Sequence, residues 1–422
     1  MSISIPIDSL TDENHLKVTK ELRIKMDDKY SFGPATYMIP YTLIDDRIMV
    51  PFAYAVGELK LKRRPRTDFP VMNVEFTTEL RAEQEVVRAE ATKHLNKTGS
   101  VIISLYTGAG KTITGIKIAT TIKLKTLVVV NTIVLMNQWE ESILSVCPTA
   151  TVQQVRPNSV YEDCDFYIIN GENAQKMGEA FFSEIGTMIV DEGHQIMAEM
   201  ISKCCNIVSP RYLICLTATP YRFDGLDALL GFYFGSNKII RELHRDHLVY
   251  KVTTGFQPTI EFSKSGCVNW GVILDSQSKD PDRNQLIVDI IRHFQDRTFL
   301  VLVKRVAQGK LLLKMLDELG DTTTSLLGAN QVFDPDARIL VGHCNKVGTG
   351  FNHPKIDTLM LATDVEQYFI QYLGRCMRKP DHLPIVFDIV DDYKVLTKHY
   401  NTRKKVYLKH GGRIENFDVG IL

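Results

Sequence analysis

The chain has 422 residues, with 50 Lys and Arg against 50 Asp and Glu, and is 44% apolar. That length exceeds one ordinary core and predicts two to three domains, while formal neutrality excludes a globally basic polyanion binder but leaves local basic strips free to act. Its eight cysteines, at 147, 164, 204, 205, 215, 267, 344 and 376, contain no Cys-x-x-Cys pair, which argues against both a zinc site and a disulfide frame.

The N-terminus, Met-Ser-Ile-Ser-Ile-Pro, lacks the basic start and long apolar stretch of a signal peptide. No apolar run reaches membrane-spanning length, so a soluble, cytoplasmic protein with no membrane partner is expected. In residues 1–75, short β-prone runs at Tyr37–Ile39, Ile48–Val50 and Tyr54–Val56 are broken by Gly33-Pro34, Pro40, Pro51 and Gly57. This spacing predicts a small β-rich module. It ends at a basic cluster, Lys60, Lys62, Arg63, Arg64 and Arg66.

From residue 76 the pattern alternates between strand and helix. Apolar, β-branched runs at Val101–Leu105, Thr126–Val130, Phe166–Ile169, Thr187–Val190 and Leu213–Leu216 read as buried parallel strands. Helical patterns lie between them, as at Thr112–Lys123 and Val134–Leu144. A second series follows at Thr298–Val303, Arg338–Val341, Thr358–Leu361 and Ile385–Ile389. The prediction is an α/β chain: a first doubly wound domain at 76–228, a linker or insertion at 229–280, and a second such domain at 281–422. Leu248–Val252, in the join, reads as a strand whose ownership the sequence leaves open, and Lys394, Lys398, Arg403, Lys404, Lys405, Lys409 and Arg413 form a second basic cluster.

Chemistry concentrates at strand ends. Val101–Leu105 runs into Tyr106-Thr107-Gly108-Ala109-Gly110-Lys111-Thr112 and then a helical pattern. Glycines there let backbone N–H groups turn around phosphate oxygens at the positive end of the helix. Lys111 would reach the terminal phosphates and Thr112 would ligate Mg²⁺; Leu105 replaces the first glycine of the strict spacing. Asp191-Glu192 closes Met188-Ile189-Val190, placing one carboxylate to hold Mg²⁺ and the next to orient or deprotonate water. His194 follows, either a packing histidine or a polar link to neighbouring strands. Gln371, Arg375 and Arg378 share one helical face, suited to stabilising a transferring phosphoryl group.

In their order, these blocks resemble the motifs of superfamily 2 helicases of the DExH branch, over roughly residues 79–380. Gln84 in Leu80-Arg81-Ala82-Glu83-Gln84 is similar to the glutamine that contacts nucleotide in that family. Thr107–Thr112 resembles motif I, where this branch often lacks the first glycine. Val128–Val130 through Gln138-Trp139 resembles motif Ia, Asp191–His194 motif II, and Thr217-Ala218-Thr219-Pro220 motif III. Gly348–Pro354 resembles motif V, with Gly348 and Gly350 near the nucleotide and Asn352 where aspartate is common. Gln371–Arg378 resembles motif VI. Within the superfamily the likeness is to the XPB-like group, including phage branch-migration helicases of the UvsW kind and helicases of large DNA viruses, with support from Thr219–Gly225.

The resemblance implies two RecA-like domains in tandem behind the β-rich module, with ATP and Mg²⁺ as nucleotide and metal. It implies a DNA helicase or translocase of 3′→5′ polarity, acting as a monomer on forked, branched or junction DNA. Lys60–Arg66 is expected to touch the duplex arm. Two other readings are carried forward: transcript release from a stalled polymerase, with RNA as the partner, and a non-catalytic nucleic-acid clamp. Of the aromatic residues, Trp270 and Tyr250 are expected to stack on bases or pack, and Trp139 to pack.

Overall fold

The computed structural model describes residues 1–25, 37–157, 159–174, 176–193, 208–218, 227–263, 266–347, 351, 353–366, 369–377, 379 and 382–422. The chain divides into two compact units, Met1–Leu105 with Ala109–Arg241, and Tyr106–Gly108 with Glu242–Leu422.

The first unit opens with β1 (Ser2–Pro6), β2 (Ile24–Lys25), β3 (Tyr37–Met38), β4 (Thr42–Ile44) and β5 (Arg47–Pro51). β1, β5 and β4 pair antiparallel in that order. Strand alternation sends Ile5, Ile48 and Val50 to one face, where they pack with Val18, Leu22, Tyr54 and Ala55. Val18 and Leu22 come from or just follow a helix, Asp12–Glu21, whose N-cap Thr11 accepts from Asn14 N. The expected strand at Tyr54–Val56 is instead a helix, Phe52–Gly57. Pro51 fixes the entry angle, and Phe52, Tyr54 and Ala55 are all buried, which a strand with one wet face would not allow. The module is stitched to its unit by Ser2 N donating to Val208 O at 3.0 Å and Tyr233 Oη to Pro40 O at 3.0 Å.

The first large sheet contains β6 (Ser100–Leu105), β7 (Thr126–Val130), β8 (Val152–Val155), β9 (Phe166–Asn170), β10 (Thr187–Asp191), β11 (Tyr212–Thr217) and β12 (Lys238–Arg241). The second contains β13 (His247–Thr253), β14 (Phe299–Val303), β15 (Thr323–Leu326), β16 (Ile339–His343), β17 (Thr358–Leu361), β18 (Ile385–Val390) and β19 (Gly412–Asn416). Their orders are β12-β6-β11-β10-β7-β9-β8 and β15-β16-β14-β17-β18-β13-β19. Every pairing in both is parallel. These are two RecA-like sheets in tandem behind a small antiparallel module.

The 229–280 stretch, expected as a linker, is shared between the units. β12 is the edge of the first sheet, β13 lies inside the second, and Trp270–Lys279 is a helix of the second unit. Leu-Val-Tyr-Lys-Val is as apolar as its parallel neighbour β18, which explains why it is drawn into that sheet.

The first basic cluster does not form a free strip. Arg63 donates to Leu95 O at 3.1 Å and Asn96 O at 3.0 Å, at the C-terminal end of the helix Ala82–Thr98. Arg66 donates to Ile122 O at 2.5 Å, at the end of the helix Lys111–Ile122. Helix ends carry unpaired carbonyls and partial negative charge, and arginines satisfy both. Lys60 bonds Gly57 O, and Lys62 remains exposed. The second cluster also loses a member. Arg403 is buried, with Nε and Nη2 on Asp388 at 2.9 and 2.7 Å and Nη1 on Asp364 at 2.9 Å.

Tyr407 Oη donates to Asp388 at 2.8 Å, and His399 Nδ1 lies 2.7 Å from Asp364 Oδ2. The Asp364 hydrogen bond raises the His399 pKa against the opposing effect of burial. A raised histidine contributes stability below its unfolded value of about 6.5 and loses it as pH rises through the folded value. Urea unfolding from pH 6 to 9 is expected to show stability falling across that window, with the fall absent in His399→Gln.

Candidate nucleotide and nucleic-acid motor site

In a parallel α/β sheet the loops after the strands' C-terminal ends collect the chemistry. β11 lies between β6 and β10, with Asp191 level with Leu216 and Thr217 level with Ser104. The register therefore brings the glycine loop, Asp191-Glu192 and Thr217 to one edge of the first sheet.

The loop after β6 turns through two left-handed glycines, Gly108 at φ 92° and Gly110 at φ 83°. Gly110 is the N-cap of Lys111–Ile122, with no side chain capping it among the described residues. The first-turn N–H groups therefore face the loop, a ready anion site. The positive φ is what favours glycine at 110; a Cβ there would also sit 2.3 Å from Gln84 Nε2 and displace the end of that side chain. Gln84 is 6% exposed. Its Oε1 accepts from Arg81 N at 3.0 Å and its Nε2 donates to Gly110 O at 3.3 Å. The glutamine thus braces the loop backbone. Lys111 Nζ donates to Leu105 O at 3.3 Å, and Thr112 is half-buried in the first helical turn. Thr107 is half-buried, Gly108 exposed and Ala109 buried.

Asp191 is buried and receives two hydrogen bonds, Trp139 Nε1 on Oδ2 at 2.8 Å and Glu192 N on Oδ1 at 2.9 Å. Burial first, then the neighbouring Glu192 charge, pushes its pKa up to about 6, against Trp139 and the Lys111 charge. Both donors are neutral, so the carboxylate keeps its appetite for a cation. Glu192 holds φ 48°, a left-handed backbone that non-glycine residues adopt at a cost of roughly 1–3 kcal/mol. Gly193 follows, where a Cβ would stand 2.4 Å from Cys215 Sγ. The close approach of β11 therefore demands glycine after the acidic pair.

In the second unit, Gln371 and Arg375 lie one turn apart on the helix Phe369–Cys376. Gln371 is 2% exposed, and neither of its amide atoms has a hydrogen-bond partner among the described residues. Arg375 is 7% exposed, donates through Nη1 to Phe351 O and lies over the Phe351 ring at 5.7 Å. His194, Thr219, Gly348, Gly350, Asn352 and Arg378 lie outside the described residues. Tyr250 stacks on Phe387 at 5.4 Å, inside the second core, and half-exposed Trp270 stacks on His399 at 5.3 Å.

Trp139 is more than the packing residue expected from sequence. A buried indole N–H needs an acceptor, and that requirement was the signal pointing to a carboxylate such as Asp191. Arg81, whose Nε also reaches Gln84 Oε1 at 3.3 Å, carried no comparable signal.

A family model described as "Type III restriction enzyme, res subunit" matches residues 77–222. "Putative helicase 161L" of Invertebrate iridescent virus 6 is 41% identical over 446 residues, 99% of this chain and 100% of that protein. "Putative helicase 055L" of Frog virus 3 is 32% identical, over 87% of this chain and 85% of that one. The chain belongs to this family of viral superfamily 2 helicases. A structure of S. cerevisiae Dbp5 bound to RNA and ADP BeF3 aligns at a TM-score of 0.58 and 12% identity, covering 79% of this chain and 89% of that one. That likeness shows the fold. As a superfamily 2 helicase the chain is a helicase-type ATPase. Among the described residues no helix is long and apolar enough to cross a membrane.

The Trp139–Asp191 bond is open to measurement. Trp139→Phe leaves a buried carboxylate short of a donor, so a double-mutant cycle with Asp191→Asn at pH 8 is expected to give a coupling of roughly 1–3 kcal/mol in unfolding free energy.

Proposed function

We propose that this helicase is an ATP-driven DNA translocase that remodels forked and junction DNA with 3′→5′ polarity. The observation that carries the ATPase half is the convergence of the Gly110 cradle, Lys111 and Asp191-Glu192 on one sheet edge. Lys111 neutralises the terminal phosphates, and the backbone N–H groups of Gly108–Thr112 hold their oxygens. Among the described residues no three or more His, Cys, Asp or Glu side chains group into a metal cage. That fits Mg²⁺, which takes one or two protein ligands and the phosphates rather than an all-protein site. Thr112 and Asp191 would hold it, and it would supply charge neutralisation on the phosphoryl oxygens.

Glu192 orients and deprotonates the attacking water, a role for which its strained backbone aims the carboxylate. Gln371, Arg375 and Arg378 are assigned to the charge that develops on the transferring group. The buried amide of Gln371, which has no hydrogen-bond partner among the described residues, supports this, because a buried polar group without a partner is costly unless it has work to do.

DNA is favoured by the N-terminal module, hydrogen-bonded to its unit through Ser2 and Tyr233, which adds a second surface to the motor. The reading that competes is action on RNA, including transcript release, since Dbp5 of similar fold is seen bound to RNA.

Lys111→Ala and Glu192→Gln are expected to lower nucleic-acid-stimulated ATPase by ~10²–10⁴-fold while nucleotide-free binding to DNA stays within about twofold. Undiminished turnover in either variant overturns the site. Unwinding compared across forked DNA, a four-way junction, an RNA–DNA hybrid and a stalled transcription complex separates the DNA and RNA readings.

A further inference from the structure

The antiparallel sheet of the N-terminal module has two unlike faces. One is the apolar core already described. The other, by the same alternation, presents Ser4, Ile44, Arg47 and Met49, since Ser4 pairs with Met49 and Ile44 with Arg47. Met49 on that face is buried, whereas Ser4 and Ile44 are half-buried and Arg47 is exposed. With Arg64, Phe182, Ser183 and Ser209 of the same unit the face lines a crevice of about 210 Å³. At roughly 30 Å³ per water in the liquid, this is far more room than a single bridging water needs.

The lining is built for an anion. Arg47 and Arg64 both line it, with the serines Ser4, Ser183 and Ser209, and among the described residues no acidic side chain does; the Ser183 hydroxyl already donates to Ala180 O at 2.7 Å. Arg47 is pre-oriented: Nε donates to Ser4 Oγ at 2.5 Å and Nη2 to Ser4 O at 3.2 Å. Its Nη1 has no partner among the described residues. Arg64 is fixed by Nη1 on Ser183 O at 3.2 Å and by stacking over Phe69 at 4.2 Å. Asp68 stands 3.8 Å from Arg64 Nε, offsetting part of that charge. Of the Lys60–Arg66 cluster, Arg64 is the member that lines the crevice, although its Nη1 is anchored on Ser183 O at the C-cap of the short helix Glu179–Phe182.

We propose that this crevice binds a backbone phosphodiester of the nucleic-acid partner, gripped between Arg47 and Arg64 with Ser209 as hydroxyl donor. The proposal rests on the helicase reading and adds a contact remote from the glycine loop. A phosphate contact of this kind carries no sequence preference and shows itself in the salt dependence of binding.

The test uses the full chain without nucleotide and a fluorescent DNA duplex, followed by anisotropy through a salt titration. Arg47→Met, which keeps the side-chain stem, is expected to weaken binding about 5–10-fold and to make the log–log salt slope shallower by about 1. Ser209→Glu, placing an anion in the crevice without touching either arginine's anchor, is expected to weaken binding at least as much. Wild-type affinity and slope in both variants overturn the proposal. So does calorimetry in which inorganic phosphate binds the wild type and neither variant while duplex affinity is unchanged, because the crevice then takes a small free anion. Failure of the ATPase assignment would appear separately, as full turnover in Lys111→Ala, and leaves this binding measurement unaffected.

Discussion

A parallel sheet covered on both faces keeps a charge inside a strand only where a buried partner cancels it. Charge left open for chemistry therefore collects at the strand ends, and the placement of the acidic pair in this chain follows from that constraint. Every residue of β6, β7, β10 and β11 is buried. Asp191 is the last residue of β10, so its carboxylate begins where apolar packing stops and is still largely desolvated. The sheet register then decides its company. Because β11 separates β10 from β6, the carboxylate and the glycine loop are two strand spacings apart, about 9–10 Å at 4.7–4.9 Å per strand. That interval suits a phosphate chain and a metal ion better than a direct ion pair.

Two buried aspartates show how the same residue type is put to different uses. Asp388, inside β18, is met by the Arg403 fork and the Tyr407 hydroxyl, and its charge is cancelled within the second unit. Asp191 is met by an indole and a backbone amide, which satisfy lone pairs without supplying a positive charge. A desolvated carboxylate holding only neutral donors is costly to keep ionised, which is why its pKa climbs. A divalent cation reverses that cost. Asp388 has its charge met at hydrogen-bond distance, whereas Asp191 feels positive charge only through the more distant Lys111.

The interior of both sheets was legible in the sequence, and the edges were not. β6, β7, β9, β10 and β11 in the first sheet, and β14, β16, β17 and β18 in the second, coincide with runs rich in β-branched residues, because burial on both faces leaves room for little else. The four strands that escaped are β8, β12, β15 and β19, the outer members of the two sheets. Their sequences, Val-Gln-Gln-Val, Lys-Ile-Ile-Arg, Thr-Thr-Ser-Leu and Gly-Arg-Ile-Glu-Asn, keep one side wet and dilute the apolar signal. The motif residues were legible because phosphate chemistry demands fixed types at fixed spacing. Arg81 was not, and Trp139 signalled only that its indole N–H needs an acceptor, since which acceptor it meets depends on which strand lies beside which.

Charge was the least legible property, for a physical reason. A run of basic residues records proximity along the chain, whereas binding a phosphate needs N–H donors left open in space. Arg63 and Arg66 looked available and are engaged by the carbonyl ends of two helices, and Arg403 is engaged by two buried carboxylates. Arg47 stood alone in sequence, beside Asp45 and Asp46, with nothing to recommend it. Folding inverts the ranking. The antiparallel pairing of β1 with β5 lays Arg47 along Ser4 and holds two of its nitrogens while the residue lines the crevice. An arginine held at one end of its fork and open at the other loses little side-chain entropy on meeting an anion, which a solvated lysine strip would have to overcome.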